Sequence, residues 1–413
     1  MKSYKQAKKI LIDEKLKIKD EIINANSALN RIISENILSK VNYPAGDNAA
    51  FDGFVVKAQD TKKLSKKNVK FFKILGSLAA GDKPKFKYKK LNAVEVMTGA
   101  LIPKGFDTII PIEKIRFDKD KRNILINEKL KKYSHIRFAG SDFRKNDIVI
   151  KKGTQINSSH ILAFKTLGIK KLKVKKIPNI LFFSTGNEIS EKISVPDWKV
   201  RNSNSYYIRS LSEKFSINFI DGGILRDGEE KLFKTKLNKA IKSNIDLIVT
   251  SGAVSAGKYD FIPNVVKSFK LKSYLKSVAI RPGKPFMFAK VKNKQKAIFG
   301  LPGNPISSAA CFRFFVYPYL CYSLKTTEEK PFRATLKNSF IKKKDFTRFI
   351  KCKLSINEKG IQEVEVLKGQ ESFRIKSFIN ANAWGCFPSG KSNFKKGDFI
   401  DCFPSNFSIK NFY

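Results

Sequence analysis

At 413 residues the chain is too long for one hydrophobic core, and its 42% hydrophobic content suits two to four globular domains. No apolar run reaches membrane-spanning length, and the lysine-rich first twenty residues hold no unbroken apolar segment; no membrane association and a cytoplasmic location are therefore expected. The net charge of +46 comes from lysines spread along the whole chain without a zinc-finger, RNP or basic-zipper pattern, so it reads as a solvated surface and not as a specific nucleic-acid interface.

Residues 1 to about 40 read as helical, because Ala7, Ile10, Leu11, Ile22, Ile23, Leu29 and Ile32 recur at helix-like intervals. The Pro/Gly/Asn segment NYPAGDNAAFDGF closes that region. Residues 43–140 look β-rich, with short apolar runs (FVV, VEVM, TIIPI) broken by Gly, Pro and Asp. INSSHILAFKTLGI at 156–169 predicts a helix with Ser158 or Ser159 as N-cap and Gly168 as the stop. From about 178 strands and helices alternate: NILFF, SNSYYIRSLSEKF, INFIDGGIL, EEKLFKTKLNKAIKS, IDLIVT, SVAI, PFMFAKV, KAIFG and ISSAACFRFFVYPYL. That succession predicts a doubly wound, mostly parallel sheet. After about 330 a period of two takes over, and FIKCKLSI and GIQEVEVL flank the turn Asn357-Glu358-Lys359-Gly360. The expected fold class is therefore α/β multidomain, with β-rich domains and a helical N-terminal segment. Its expected divisions are 1–42 with 141–177, 43–140, 178–328, and a barrel-like 329–413.

The five cysteines form no CxxC pair and the two histidines have no zinc-like spacing, so neither a disulfide framework nor a zinc site is expected. A metal here should be a hard cation on carboxylates, or one carried by the substrate. The apolar run ending at Ser251 opens into a loop, Gly252-Ala253-Val254-Ser255-Ala256-Gly257-Lys258-Tyr259-Asp260, and then a helix. Such loops at the carboxyl ends of parallel strands bind ligands, and their glycines let backbone N–H groups approach an anion. STGNE at 184–188, RPGKP at 281–285 and LPGNP at 301–305 follow apolar strands in the same way.

In this order, DNAAFDGFVV (47–56), VEVMTGALIPKGFDTIIPIE (94–113), IRFAGSDF, FFSTGNEI, ILRD, TSGAVSAGKYD, IRPGKP and GLPGNPISS resemble the molybdopterin molybdenumtransferase family, the MoeA proteins, and the C-terminal domain of gephyrin. The resemblance covers nearly the whole chain. It implies that residues 178–328 bind molybdopterin, and that the chain takes adenylylated molybdopterin and molybdate, inserts molybdenum into the dithiolene and releases AMP with Mg2+ assisting. The pterin's own sulfurs ligate the metal, so the protein needs no Cys or His cluster. Molybdate is a tetrahedral dianion that asks for N–H, hydroxyl and cationic donors.

The resemblance gives catalytic roles to Asp52, Thr98, Asp142, Glu188, Asp227 and Asp260, with Glu188, Asp227 and Asp260 as the Mg2+ ligands. It gives substrate contacts to Thr185, Gly186, Ser251, Gly252, Ser255, Gly257, Arg281, Pro282, Gly283, Lys284, Pro302, Gly303, Asn304, Pro305, Arg348 and Ser372. It also implies a homodimer in which Asp52, Thr98 and Asp142 reach the partner subunit's site. A molybdopterin adenylyltransferase and molybdoenzyme apo-proteins or their chaperones are the further partners.

Each residue also has a plain structural reading. Asp227 and Asp260 precede helices and suit caps, Asp52 and Asp142 suit turns, Glu188 suits a solvated loop, and Arg281 and Lys284 suit surface charge. Ser307 suits a cap of the helix after LPGNP, and Asp246 reads as structural. Three departures from the family pattern stand out: Ala253 replaces a glycine and should be tolerated if its φ is negative, Ala49-Ala50-Phe51 replaces Ser-Ala-Met, and Ser277 replaces a lysine beside Lys276. The rival readings are a single-domain adenylyltransferase, which the length opposes, and a molybdopterin-binding scaffold without turnover, which the retained acids oppose.

Overall fold

A computed structural model describes residues 1–215, 217–254, 262–269, 271–291, 294–326 and 329–405. Its central sheet runs Asn218–Leu225, Asn179–Thr185, Leu247–Ser251, Ala297–Leu301, Met287–Val291, Leu271–Leu275. The first four strands are parallel, Met287–Val291 runs against them, and Leu271–Leu275 is antiparallel to Met287–Val291. Side chains alternate between two cores: Leu247, Val249 and Phe299 face one, Ile248, Ile298 and Phe183 the other. Helix Ser203–Lys214 brings Ile208 and Leu211 to the first core, and helix Glu230–Lys242 brings Phe233, Leu237 and Ile241 to the second. The sheet is thus wound on both faces, and each fully buried Leu or Phe contributes about 1.5–3 kcal/mol.

The helical reading of residues 1–40 holds only for Tyr4–Asp13, which opens with a Ser3/Gln6 capping box and buries Ala7 and Leu11 in the first core. Ile22 and Ile23 instead lie on the strand Asp20–Asn24, antiparallel to Lys171–Lys175, and Ile37–Leu38 pairs with Ile148–Ile150. The apolar spacing ran across two elements, and the β-branched pair with its alternating exposure decides for a strand. Ala25, Ile33, Ile150, Phe164 and Val174 share a small core there. Helix Ser158–Thr166 is capped by Asn157, whose side-chain oxygen accepts from the His160 N–H, so Ser158 and Ser159 stand inside the first turn. Gly168 follows its end at φ +66°.

Within residues 43–140 a six-stranded mixed sheet runs Thr108–Pro111, Gly53–Val56, Asn92–Val96, Lys70–Leu78, Asn123–Ile126, Arg116–Phe117. Gly53 is required in its middle, since a Cβ there would lie 2.0 Å from the Ile110 carbonyl oxygen.

Beyond 330, strands Thr347–Ile356, Gln362–Val366, Phe332–Leu336, Phe399–Pro404 and Ala383–Phe387 pair in sequence, and the last returns to pair with the first. The ring closes as a small barrel around Ile350, Cys352, Val364 and Phe387. Asn357 shapes its hairpin by accepting from the Lys359 and Ile361 N–H groups, with Gly360 at φ +74°. One strand is a guest: Ile280–Arg281, from the connection between two sheet strands of the α/β domain, lies parallel to Thr347–Arg348 on the barrel. That seam joins the two domains.

Candidate functional site

The loops at the carboxyl ends of the parallel strands interlock. Thr185 Oγ1 donates to the Ser251 carbonyl (3.1 Å) and Gly252 N donates to the Leu301 carbonyl (2.8 Å). Gly252 sits at φ +103°, where a Cβ would fall 2.4 Å from Thr185 Oγ1, and Gly303 faces its Cα. Asn204, in the first turn of its helix, donates to Ser251 Oγ (2.6 Å) and to the Gly303 carbonyl (2.8 Å). Ser251 Oγ in turn donates to the Pro302 carbonyl (3.2 Å), so this hydroxyl holds loops together. Asn204 was not singled out from the sequence, although an amide side chain opening a helix beside Gly loops is the signal for it. Ala253 adopts φ +52°, so the negative angle its tolerance required is not what the loop takes. Ser255, Gly257 and Asp260 lie outside the described residues. Asp246 is structural: it accepts from Asn179 N (2.9 Å), and burial raises its carboxyl pKa.

Glu188 is exposed at the mouth of these loops, with its carboxylate folded over Gly186. Arg226 donates to the carbonyls of Gly186 (3.0 Å), Asn187 (3.3 Å) and Ile189 (2.7 Å). Asn187 Oδ1 accepts from Asp227 N (3.1 Å). The turns carrying Glu188 and Asp227 are thereby fastened to each other. The residue at the cap position of helix Glu230–Lys242 is Glu229, so Asp227 is not its cap; the Glu229 carboxylate is taken by Arg226 N. Among the described residues no three His, Cys, Asp or Glu side chains gather as a metal site.

The guest strand brings Arg281 level with Arg348. Arg281 lies over the Phe346 ring at 4.9 Å. Arg348 is half-buried, and its Nε is buried with no hydrogen-bond partner. Burial, and then the charge of Arg281, lower its pKa. Pro282 is half-buried and Lys284 exposed, with its carbonyl accepting from Val278 N. Gly283 is held at φ +103°, where a Cβ would strike Cys311 Sγ at 2.5 Å. Lys276 is exposed and Ser277 half-buried.

The LPGNP turn reaches the same seam. Asn304 Nδ2 donates to Ser372 Oγ (3.1 Å), and Ile306 N donates to the Ser372 carbonyl (3.3 Å). Asn304 stands at the cap position of helix Pro305–Cys311 with its side chain turned to Ser372, and Pro305 is the first residue of that helix. Ser307 is buried inside the helix and does not cap it. Arg281, Arg348, Asn304 and Ser372 thus border one junction.

Asp52, Thr98 and Asp142 stand apart. Asp52 Oδ1 accepts from Thr98 N (2.6 Å) and Thr98 Oγ1 (2.8 Å), and these bonds, the backbone one first, lower its pKa. Asp142 is exposed, with its N–H on the Tyr43 carbonyl. Nearby, exposed Phe51 meets the His135 ring edge-on. Among the described residues no hydrogen bond or ion pair links these three side chains to the α/β loops.

Models of three families match: the MoeA N-terminal region (domain I and II) over 2–168, the probable molybdopterin binding domain over 182–321, and the MoeA C-terminal region (domain IV) over 333–404. A molybdopterin molybdenumtransferase of Haemophilus influenzae is 31% identical, with 94% of each chain covered. One of Staphylococcus aureus is 30% identical, over 96% of this chain and 94% of the relative. The crystal structure of the molybdopterin biosynthesis moea protein from Pyrococcus horikosii superimposes with a TM-score of 0.82 at 27% identity, covering 98% of both chains. The chain belongs to the MoeA family of molybdopterin molybdenumtransferases, enzymes of molybdenum cofactor biosynthesis.

Proposed function

We propose that this chain transfers molybdenum from molybdate into adenylylated molybdopterin, releasing AMP and the finished cofactor. The observation that carries the reading is the seam between sheet and barrel: two arginines in register, one with a buried, unpartnered Nε, and the Ser372 hydroxyl bonded across to Asn304. Cations brought together with no ion pair to a carboxylate among the described residues ask for an anion, and a tetrahedral dianion such as molybdate suits guanidinium and hydroxyl donors. Arg281, Arg348 and Ser372 hold the oxyanion. Gly303 is exposed above the buried Thr185-Gly186, Ser251-Gly252 and Pro302 backbone, and these turns are assigned to the adenylylated pterin, with Pro282, Gly283, Lys284 and Pro305 shaping the adjoining walls. The same roles are assigned to Ser255 and Gly257.

Glu188 and Asp227 fit Mg2+, which keeps most of its waters and takes one or two carboxylates; Asp260 is the third ligand assigned. Bound Mg2+ supplies charge neutralisation at the phosphoanhydride. Arg226 and Asn187 set the spacing of the two acids. Asp52, Thr98 and Asp142 complete the site from the second subunit of a homodimer. The exposed apolar residues of the first 170 positions, among them Ile22, Leu29, Phe51 and Leu162, supply a surface for that association. The five free thiols suit a reducing cytoplasm, where a molybdopterin adenylyltransferase delivers substrate and molybdoenzyme apo-proteins or their chaperones take the product. No described helix is long and apolar enough to cross a membrane.

Purified protein given adenylylated molybdopterin, Mg2+ and molybdate should release AMP. Arg348→Ala should lower kcat/KM for molybdate by roughly 10²–10³-fold, as loss of a preorganised charged donor does. Wild-type molybdate dependence in a folded Arg348→Ala protein would remove the oxyanion assignment.

A further inference from the structure

Arg348 and Ser372 come from different parts of the barrel, and Ser372 sits on a turn without regular structure. What fixes that turn is a buried lysine. Lys351, on the same strand as Arg348, is 1% exposed. Its Nζ donates to the carbonyls of Gly369 (2.7 Å), Glu371 (3.2 Å) and Arg374 (3.1 Å), so all three ammonium protons are spent on the turn around Ser372. Gln370 locks the same turn from its other side. Its Oε1 accepts from Lys351 N (3.0 Å), and its Nε2 donates to the carbonyls of Lys351 (2.8 Å) and Leu367 (2.7 Å).

Among the described residues no carboxylate forms an ion pair with the buried ammonium, although the nearby charge of Glu371 favours it. Glu371 turns instead to Arg374 at 3.5 Å. Burial pushes the Lys351 amine down to about 8, so it still carries its proton at neutral pH. Holding an unpaired ammonium out of water is expensive, and three carbonyls of a surface turn could have been hydrated instead. In a chain with 82 lysines and arginines, nearly all of them solvated, this one is spent on the segment that presents Ser372 to Asn304.

We propose that Lys351 is a positioning residue for molybdate, a clamp that sets the Ser372 turn against the Asn304 turn and fixes the distance from Ser372 to Arg348. This rests on the reading of Arg348 and Ser372 as the oxyanion site. Lys351 does not touch substrate; its effect passes through the turn.

The test is steady-state kinetics of full-length Lys351→Met, Gln370→Leu, Ser372→Ala and Arg348→Ala, with molybdate and adenylylated molybdopterin varied separately. Lys351→Met should raise the KM for molybdate about tenfold and leave the KM for the pterin within about twofold, because only one substrate's donors are displaced. Ser372→Ala should do the same, and the double variant should be no worse than Ser372→Ala alone, as expected of residues acting in series. A purely structural role would lower the melting temperature and the active fraction without moving either KM. An unchanged molybdate KM in Lys351→Met, with a raised one in Arg348→Ala, sinks the clamp alone. Unchanged values in Arg348→Ala and Ser372→Ala together sink the oxyanion site itself. Should Lys351→Met not fold, Gln370→Leu, which removes neutral bonds to the same turn, decides by the same readout.

Discussion

Two groups of candidate residues are built in opposite ways. Between sheet and barrel, Arg281 is paired with Arg348 through the backbone and Asn304 with Ser372 through a side-chain bond, all within one chain. Asp52, Thr98 and Asp142 lie on an exposed face, bonded only to their own neighbourhood. The first group is tied across two domains of one chain. The second is bonded only locally, and the proposed homodimer would hand it to another copy of the chain.

Subunit mixing can break that contrast outright. Asp142→Ala and Arg348→Ala should each be nearly inactive. After exchange, half the dimers carry one lesion from each parent and one intact site, so about a quarter of wild-type activity should return. Proven heterodimers without activity would place both groups in the same chain's site. Arg226→Ala sharpens the contrast. It frees the turns of Glu188 and Asp227, so activity should fall about tenfold and the Mg2+ requirement should rise, as misplaced groups do. It should complement Asp142→Ala and fail to complement Arg348→Ala. Arg226→Lys should rescue it in part, because all three carbonyls are held by one nitrogen, Nη1, and an ammonium also has three protons to give. The smallest effect is on the exposed face itself. Thr98→Val removes the hydroxyl bond to Asp52 but keeps the larger, backbone one, so the lowered Asp52 pKa should return only part of the way to its ordinary value. An NMR titration of the carboxyl reads this directly; full return would mean that the hydroxyl dominates.

Long-period patterns were legible in the sequence. The Phe233, Leu237, Ile241 stripe, the buried strand 247–251 and the Asn357–Gly360 hairpin each follow from local spacing or turn chemistry, and each is present. Where two elements met without a Gly or Pro between them, the pattern misled, as at Ile22 and Ile23. The phosphate-type loops were visible as Gly/Pro clusters. Their fastenings were not: Arg226 and Lys351 act on backbone carbonyls distant in sequence, and nothing in composition separates them from the other basic residues. Ala253 shows the converse limit, since a left-handed angle at alanine is imposed by surroundings that no propensity reveals.

The guest strand Ile280–Arg281 has a consequence for dissecting the molecule. A fragment beginning near residue 330 would keep its five-stranded ring but lose the two residues that cover the start of Thr347–Ile356. That leaves bare N–H and C=O groups on an uncovered edge, the kind of surface that recruits strands from neighbouring molecules. Expressed alone, the barrel should self-associate, and a fragment extended to include residues 278–284 in trans as a peptide should restore a monomer. The seam that aligns two arginines thus works with Phe349 and Trp384, which pack on Phe314 in the first core, to bind the barrel to the rest of the chain.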